Sequence, residues 1–266
     1  MATGKNSLNN SVVLVTGGSG ILGSAVVAEL LSIGAFVCSL DANSSKDLAK
    51  LPNQQNLVQY ECDVSDSDQV HESIRKIEED HGQIVGLHNN AATKTSDLGR
   101  FLQDVEEYDV HTWNEVMATN LLGMFLVARE AGQAMAQRGM GSIVQTASIY
   151  GATMGPDQRI YEGSEYLGRR LSSPVSYTVS KAGVHGLTNH LATYWGSQGV
   201  RVNTVTPGGI KSGQNKTFEN QYSARVPLGR MATAEEVSHA VVFLLSDSAS
   251  YITGQNLFVD GGLSAW

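Results

Sequence analysis

The chain has 266 residues, of which 41% are hydrophobic, and a net charge of −8; this size and composition suit a single α/β domain with a buried core. The acidic balance and the lack of a basic run argue against a nucleic-acid partner, and no apolar segment reaches membrane-spanning length. Two cysteines without metal-ligand spacing, Cys38 and Cys62, predict small core residues, no disulfide and no metal site. We therefore expect a cytoplasmic protein without a nucleic-acid or membrane partner.

The predicted elements alternate between strands and helices. A polar segment, 1–10, lacks the apolar stretch of a signal peptide and predicts a disordered tail. Apolar runs then predict strands near residues 12, 36, 57, 84, 142, 200 and 255, and helical patterns lie near 20, 67, 112, 174 and 234. This alternation is typical of a single Rossmann-type α/β domain, 11–266, with a doubly wound parallel sheet of about seven strands flanked by helices.

A glycine-rich turn follows the first predicted strand and precedes a helical pattern. Gly17, Gly20 and Gly23 permit a tight turn in which backbone N–H groups approach a pyrophosphate at the helix N-terminus. Asp41 ends the second apolar run, where a carboxylate accepts hydrogen bonds from both ribose hydroxyls and repels a 2′-phosphate. The sequence therefore predicts a dinucleotide cofactor, NAD rather than NADP.

Tyr177 and Lys181 are four residues apart in a helical pattern and share one face of that helix. An adjacent ammonium favours the phenolate and lowers the tyrosine pKa, which is about 10 in isolation. Such a pair suits general acid–base catalysis on an alcohol or ketone. A surface tyrosine beside a solvated lysine gives the same pattern, so the interpretation needs partners elsewhere in the chain.

Two polar residues are candidates for those partners. Asn120 falls within the apolar stripe of a helix predicted over 112–138, and Ser148 follows the strand predicted over 142–146. A buried asparagine needs hydrogen-bond partners, so Asn120 is either a structural hub or a group placed for chemistry. Serines at strand ends are also common turn formers.

Taken in chain order, the glycine turn, Asn120, Ser148, Tyr177 and Lys181 resemble the short-chain dehydrogenase/reductase family over roughly residues 11–263. The resemblance implies an NAD-dependent oxidoreductase that interconverts a secondary alcohol and a ketone by hydride transfer. It implies that Tyr177 exchanges a proton with the substrate oxygen and that Ser148 holds that oxygen. Lys181 would bind the ribose, lower the Tyr177 pKa and join Asn120 in a proton relay.

Other segments extend the resemblance to the cofactor site and to assembly. They are Cys62-Asp63-Val64 beside the adenine, Asn89-Asn90-Ala91-Ala92 in place of an Asn-Asn-Ala-Gly stretch, and the Pro207-Gly208-Gly209-Ile210 loop. The expected cofactor-binding residues are Gly17, Ser19, Gly20, Ile21, Leu22, Gly23, Asp41, Asp63, Val64, Asn90, Ala91, Ala92, Tyr177, Lys181, Pro207, Gly208, Ile210 and Ser212. The family commonly assembles, so the resemblance also implies a homo-oligomer, a tetramer or a dimer.

The spacing of the glycine turn departs from the usual single-domain pattern. Gly17, Gly20 and Gly23 resemble the sugar-nucleotide branch of the family, which includes epimerases and dehydratases that retain NAD. Those enzymes carry a sizeable C-terminal substrate domain, whereas this chain stops shortly after Gly262. An epimerase or dehydratase of a sugar nucleotide is therefore one alternative function, and a non-catalytic dinucleotide-binding sensor or scaffold is another.

The interval between Ser148 and Tyr177 is wider than in usual single-domain members and contains an insertion near 152–173. Because it lies between two site residues, Tyr161, Arg169 and Arg170 are candidates for substrate binding. Aromatic and arginine side chains suit a sugar, sugar acid or nucleotide sugar. A solvated surface excursion or an oligomer contact is equally compatible with the pattern. A polar segment near 211–225 is expected to form a lid over the substrate.

Overall fold

The computed structural model describes residues 8–95, 97–166, 169–170 and 172–266, and of residues 166, 169 and 170 it describes the backbone alone. The main sheet has seven parallel strands in the order β3-β2-β1-β4-β5-β8-β9. Its strands are β1 (Val12–Thr16), β2 (Phe36–Asp41), β3 (Leu57–Glu61), β4 (Ile84–Asn89), β5 (Gly141–Thr146), β8 (Val200–Pro207) and β9 (Asn256–Val259). Two short strands, β6 (Glu165–Tyr166) and β7 (Arg169–Arg170), pair antiparallel outside this sheet. The expected Rossmann-type fold of about seven parallel strands is confirmed.

Helices cover both faces of the sheet. They are α1 (Ile21–Ser32), α2 (Ser67–His81), α3 (Leu98–Phe101), α4 (Val110–Met117), α5 (Met124–Arg138), α6 (Ile149–Ala152), α7 (Val175–Trp195), α8 (Lys216–Ser223) and α9 (Ala234–Leu245). Side-chain caps begin several of them: Asp66 accepts from two backbone N–H groups at α2, and Thr233 and Glu236 form a reciprocal capping box at α9. Such caps satisfy N–H groups that have no partner inside the helix.

Two apolar layers hold the sheet between its helices. One face packs against α2, α5 and α7 through residues such as Ile77, Val127 and Trp195. The other packs against α1 and α9 through residues such as Leu30 and Val241. Each fully buried side chain of this size contributes about 1.5–3 kcal/mol relative to exposure. β1, at the centre of the sheet, is buried on both faces and therefore has a nearly continuous apolar sequence, whereas the edge strands β3 and β9 are only partly buried.

The order of the strands reverses between β1 and β4, because the chain builds outward from β1 in both directions. In doubly wound sheets the crevice beyond the carboxyl ends of the strands, at this reversal, is where ligands bind. The glycine turn follows β1 and the Asn89-Asn90 segment follows β4. The fold thus places two of the expected cofactor segments on opposite sides of one crevice.

The helix predicted over 112–138 is interrupted at Asn120. A π-helical segment, Ala118–Gly123, separates α4 from α5. The wider π turn shifts the side chains that follow, so a single 3.6-residue period does not describe the segment. Such π turns occur inside α-helices and are frequent at functional sites.

Residues 8–10, which were expected to belong to a disordered tail, are packed against the domain. Leu8 is only 3% exposed and belongs to the apolar layer under α1, and the Asn10 N–H donates to the Gly34 carbonyl at 2.8 Å. A buried leucine outweighs the polar composition around it. Residues 1–7 of the expected tail lie outside the described residues.

We predict that Gly132→Ala destabilises the contact between α5 and α7. A Cβ atom at Gly132 would lie 2.3 Å from the Trp195 ring. Overpacking costs about 1–3 kcal/mol, more than the roughly 1 kcal/mol that alanine gains over glycine in a helix. Chemical denaturation should show a lower free energy of unfolding.

The matched control is Gly186→Ala on α7, where an added Cβ meets nothing within 4 Å. It should be neutral or stabilising by up to about 1 kcal/mol. A Gly132→Ala protein as stable as the control variant would contradict the packing argument.

Candidate active site

The glycine turn after β1 forms a tight loop that leads into α1. Gly17 has φ +64°, a conformation that favours glycine, and its N–H donates to the Leu40 carbonyl at 2.8 Å. A Cβ atom on Gly23 would lie 2.0 Å from the Gly17 carbonyl oxygen. The first turn of α1 is therefore packed against the loop, and no side chain fits at position 23.

The N-terminus of α1 faces the same edge of the sheet. Gly20 precedes the helix, which has no side-chain cap and no acidic residue in its first turn. Ile21 is exposed at this end and Leu22 is buried. Unpaired N–H groups and the helix dipole at such an end favour a phosphate. The Ser19 N–H donates to Asp41 Oδ2 at 3.0 Å, so the carboxylate at the end of β2 lies beside the turn.

The segment after β4 is fastened to β1 through Thr16. The Thr16 hydroxyl oxygen accepts from the backbone N–H groups of Asn90 at 2.8 Å and Ala91 at 3.0 Å, and its O–H donates to Asn89 Oδ1 at 3.2 Å. Asn90 Nδ2 also donates to the Thr16 carbonyl at 3.3 Å. Ala92, the next residue, is exposed. These bonds fix the second wall of the crevice.

A third segment follows β3. The Asp63 carboxylate accepts from the Ser65 N–H at 2.9 Å and from its hydroxyl at 2.7 Å. Val64 is buried against Gly123, where a Cβ atom would lie 2.8 Å from the valine side chain. The end of β3 is therefore packed against the π turn that carries Asn120.

Asn120 is buried and connects two parts of the site. Its Oδ1 accepts from the Thr93 N–H at 2.8 Å, and its Nδ2 lies 3.5 Å from Ser180 Oγ. The Ser180 hydroxyl donates to the Tyr177 carbonyl at 2.9 Å. Asn120 is therefore a hydrogen-bonding hub between the loop after β4 and the turn of α7 that carries Tyr177.

Ser148 and Tyr177 lie together at the end of β5. The Ser148 hydroxyl oxygen accepts from the Tyr150 N–H at 3.2 Å, which caps α6, and the Ser148 side chain interacts with the Tyr177 phenol. Burial raises the Tyr177 pKa, and the interaction with Ser148 opposes part of that rise. The prediction that the Tyr177 pKa is lowered is therefore wrong here, because loss of water around a phenolate outweighs the favourable contacts.

Lys181 is buried one helical turn beyond Tyr177. Its Nζ donates to the Thr146 carbonyl at 2.9 Å, and burial lowers its pKa to about 8. The Thr146 hydroxyl pairs with His88 Nε2 at 2.9 Å. Burial, and then the charge of Lys181, lower the His88 pKa to about 3, so this ring stays neutral. Lys181 thus carries the titratable positive charge of this buried group.

The loop after β8 forms another wall of the crevice. Pro207 ends the strand, and Gly208 follows it. The Gln214 side chain ties the next residues together: its Nε2 donates to the Ile210 carbonyl at 2.9 Å, and its Oε1 accepts from the Ser212 N–H at 2.7 Å. Contacts to distant segments also hold this loop: the Lys211 N–H donates to the Ala232 carbonyl at 2.9 Å, and the Ala232 N–H donates to the Gly209 carbonyl at 2.9 Å.

Tyr222 is a site residue whose role the sequence did not reveal. It lies on α8, inside the expected lid, and its hydroxyl oxygen accepts from the Gly209 N–H. A Cβ atom at Gly209 would lie 2.7 Å from Tyr222 Cζ. The second glycine of the Pro-Gly-Gly loop thus lets α8 rest directly on it. The two consecutive glycines, followed by a helix with aromatic residues, were the sequence signal that could have indicated this close contact.

Tyr161, a candidate for substrate binding, packs against the expected lid. Its ring centroid is 5.5 Å from that of Phe218 on α8, and its hydroxyl interacts with Tyr150 and Ser173. Tyr150, two residues after Ser148, is a second neighbour that sequence reasoning missed, because an aromatic residue after a strand-end serine has no distinctive spacing. The backbone of Arg169 and Arg170 forms β7, while their side chains lie outside the described residues.

The insertion is bound to the expected lid by polar contacts. Asp157 pairs with Arg159 and with Arg225, each at 2.8 Å, and these partners hold its pKa well below the usual range. Gln221 Nε2 on α8 donates to the Glu162 carbonyl at 2.9 Å. The described part of the insertion and the lid helix therefore form one packed unit.

Comparison with known proteins agrees with this architecture. The family model described as enoyl-(acyl carrier protein) reductase matches residues 17–264. The chain belongs to the short-chain dehydrogenase/reductase family.

Two curated relatives of this short-chain dehydrogenase/reductase illustrate the range of its similarity. It is 31% identical to a D-threitol dehydrogenase of Mycolicibacterium smegmatis, over 96% of this chain and 93% of that protein. It is 33% identical to a 3-oxoacyl-[acyl-carrier-protein] reductase FabG of Rickettsia conorii, over 98% of this chain and 97% of that protein. Both polyol dehydrogenases and reductases of acyl carriers are therefore similar over nearly the whole length.

Two solved structures show the same fold. A short-chain dehydrogenase from Leptospira borgpetersenii with bound NAD+ has a TM-score of 0.85 and 31% identity, covering 97% of this chain and 94% of that one. A gluconate 5-dehydrogenase from Burkholderia cenocepacia, in complex with NADP and tartrate, has a TM-score of 0.83 and 25% identity, covering 97% of both chains. Both nicotinamide dinucleotides thus occur among similar enzymes.

Two features of the described residues bear on other functions. No helix among them combines the length and apolarity needed to cross a membrane. Across the same residues, histidine, cysteine and carboxylate side chains do not gather in groups of three that could hold a metal ion.

Cys38 and Cys62 are free thiols buried in the core, and burial raises the Cys38 pKa to about 12.

We predict a pH-dependent contribution of Lys181 to stability. Because its pKa falls from 10.5 to about 8 on folding, the native protein loses this proton at lower pH than the unfolded chain does. The unfolded chain then binds more protons, so this group makes the free energy of unfolding rise with pH from about 8 to about 10.

Denaturation curves of the wild type and Lys181→Met, recorded at several pH values, isolate this group. The free energy of unfolding of the wild type minus that of the variant should rise by roughly 2 kcal/mol between about pH 8 and about pH 10. A difference that stays constant or falls with pH would contradict the account of the buried ammonium.

Proposed function

We propose that this short-chain dehydrogenase/reductase is an NAD-dependent enzyme that interconverts a secondary alcohol and a ketone. The observation that carries the proposal is that Ser148, at the end of β5, interacts with the buried phenol of Tyr177, with buried Lys181 one turn further along α7. This group lies at the carboxyl edge of the sheet, beside the crevice between β1 and β4. Acid–base residues in such a place suit an alcohol or carbonyl oxygen.

The residues around the crevice fit a dinucleotide. An added Cβ atom on Gly23 would strike the loop backbone, and the N-terminus of α1 has no side-chain cap, so backbone N–H groups are accessible to a pyrophosphate. Asp41 and the Asp63–Val64 segment would hold the adenosine half, and Asn90 and the Pro207–Ser212 loop the nicotinamide half. When bound, the cofactor supplies or accepts the hydride.

The chain's own residues would manage the proton. Burial keeps Tyr177 protonated at neutral pH, so its O–H can donate to a carbonyl oxygen as that oxygen gains negative charge. Ser148 would hold the same oxygen through its hydroxyl and polarise it. In the oxidative direction the Tyr177 oxygen must accept the proton, and the ammonium of Lys181 on the same helix face would stabilise the negative charge. Asn120 would order the polar path to solvent.

The carboxylate of Asp41 supports NAD over NADP. It accepts the Ser19 N–H at the glycine turn, where a 2′-phosphate would bring further negative charge. We predict that the wild type uses NAD at least about tenfold better than NADP in kcat/KM, a difference of about 1.4 kcal/mol.

Asp41→Asn is the sharpest test of that preference, because it keeps an oxygen to accept the Ser19 N–H and removes only the charge. Its kcat/KM with NADP should rise while that with NAD falls. Equal use of both cofactors by the wild type, or an unchanged ratio in the variant, would contradict the assignment.

The substrate is proposed to be a sugar, sugar acid or nucleotide sugar, and the enzyme to work as a cytoplasmic homo-oligomer, a tetramer or a dimer. Tyr161 supports the first part, since the insertion places it beside Tyr177. An apolar groove of about 510 Å³ along α4, the π turn and α5 supports a second copy as the covering partner. Leu122 and Phe125 are exposed there, as apolar side chains at a subunit contact would be in an isolated chain.

One observation favours a second candidate, an epimerase or dehydratase that retains NAD. The glycines at 17, 20 and 23 have the spacing typical of the sugar-nucleotide branch. Such an enzyme returns the hydride to its substrate, so product would form without net change in NADH.

We predict that Tyr177→Phe abolishes turnover and retains NAD binding, because it removes the proton-exchanging hydroxyl and keeps the ring in place. NADH formation with a panel of secondary alcohols and sugars, together with NAD titration calorimetry, measures both properties. Tyr251→Phe, at a fully exposed tyrosine, is the control and should behave as the wild type. Near-normal turnover in Tyr177→Phe would end the assignment.

A further inference from the structure

A second pair of phenols lies beside the Ser148–Tyr177 pair. Tyr150 follows Ser148 by two residues, and Tyr161 ends the turn Gln158–Tyr161 in the insertion. Both side chains pack against one apolar cluster that contains Ile149, Ile160 and Tyr222, their hydroxyl groups interact with each other, and Tyr161 interacts electrostatically with Tyr177. The two phenols are therefore close to the oxygen at which the proposed chemistry takes place, and that chemistry does not use them.

The backbone holds Tyr150 firmly. Its N–H donates to Ser148 Oγ at 3.2 Å. Gly151, the next residue, has φ +93°, and a Cβ atom there would lie 2.4 Å from the Thr178 carbonyl oxygen on α7. The segment is thus pressed against the helix that carries Tyr177, and residues on such rigid supports place polar groups accurately.

Tyr161 is held from the other side of the site. Ile160, its neighbour, is 1% exposed and anchors the turn in an apolar cluster with Tyr222. The Tyr161 ring lies 5.5 Å from Phe218, whose ring lies 5.8 Å from Tyr222. These three rings form an aromatic row along the lid helix, with the Tyr161 hydroxyl at one end.

The chemistry of the two hydroxyls indicates what they can bind. Burial raises the pKa of both phenols, so both stay protonated and neutral at physiological pH. A protonated phenol has one O–H donor and an oxygen that accepts. Neutral groups that donate and accept suit a hydroxyl rather than a methylene.

We propose that Tyr150 and Tyr161 form a hydroxyl-recognition pair, and that the substrate is a vicinal diol or the matching α-hydroxy ketone. The pair lies next to the Ser148–Tyr177 pair, so the recognised hydroxyl sits on the carbon adjacent to the reacting one. The aromatic row would cover the C–H face of a longer polyol. This inference rests on the proposed oxidoreductase function and names its substrate class.

The test compares butane-2,3-diol with butan-2-ol, which differ only by the second hydroxyl, in NAD-linked assays. The wild type should favour the diol by about tenfold or more in kcat/KM, the scale of one well-placed hydrogen bond. Tyr161→Phe and Tyr150→Phe should each lose most of that preference, because kcat/KM falls much more for the diol than for butan-2-ol. Tyr194→Phe, at an exposed tyrosine at the far end of α7, is the matched control and should keep the preference.

Binding without turnover supplies a second measurement. In the Tyr177→Phe background with NADH present, quenching of cofactor fluorescence should give a Kd about tenfold lower for 3-hydroxybutan-2-one than for butanone, and adding Tyr161→Phe should remove the difference. Equal Kd values before the second substitution would overturn the proposal.

The outcomes separate the inference from the function beneath it. If the two variants slow both alcohols equally, or lower only the free energy of unfolding, the phenols have a packing role and the inference fails while the oxidoreductase assignment stands. Wild-type oxidation of both alcohols without preference has the same meaning. If the wild type binds NAD yet oxidises no alcohol on the panel, the proposed function itself fails, and the inference with it.

Discussion

The close contact between α6 and α7 determines the geometry of the whole site. Gly151 lies in the left-handed region, and a Cβ atom there would lie 2.4 Å from the Thr178 carbonyl oxygen and 2.8 Å from the Ala182 nitrogen, so no side chain fits. The segment that follows Ser148 therefore lies against the helix that carries Tyr177, and the Ser148 side chain interacts with the Tyr177 phenol. A side chain at position 151 would require one of the two segments to shift.

The site also buries groups that prefer water. Tyr177 and Lys181 both lose hydration: the phenol becomes harder to ionise, and the ammonium easier to deprotonate. Two contacts offset part of this cost. The Thr146 carbonyl accepts a hydrogen bond from the Lys181 ammonium, and the Ser148 hydroxyl interacts with the Tyr177 phenol. The burial of these two groups lowers stability and shifts their pKa values, and groups with shifted pKa values are common at active sites.

Much of the fold could be predicted from the sequence because its signals are local. Buried strands give apolar runs, and the glycine turn has steric requirements that few residues meet, so β1, the turn and α1 were found where they lie. The π turn at Asn120 could not be found by counting a 3.6-residue period. Leu8 was assigned to a disordered tail because composition does not reveal a docking site on α1. In each case tertiary packing overrode the local pattern.

The residues of the site likewise fall into those that a sequence motif reveals and those that only tertiary packing places there. Residues tied to motifs, such as Ser148, Tyr177 and Lys181, lie together at the predicted edge. Tyr150, and the contact of Tyr222 with Gly209, could not be predicted, because they depend on which loop packs on which helix. The sign of the Tyr177 pKa shift was also wrong, since a helical pair shows the neighbouring charge and hides the burial. A pKa shift that is caused by burial can be predicted only once the structure shows how deeply the group is buried.

The central claim is that buried Tyr177 serves a net transfer of hydride between a secondary alcohol and NAD. The most direct measurement follows NADH by absorbance and the carbonyl product by mass spectrometry in the same reaction, with a vicinal diol as substrate. The account predicts equal molar amounts of NADH and ketone throughout. Product that accumulates without net NADH, or NAD binding without any product, would contradict it.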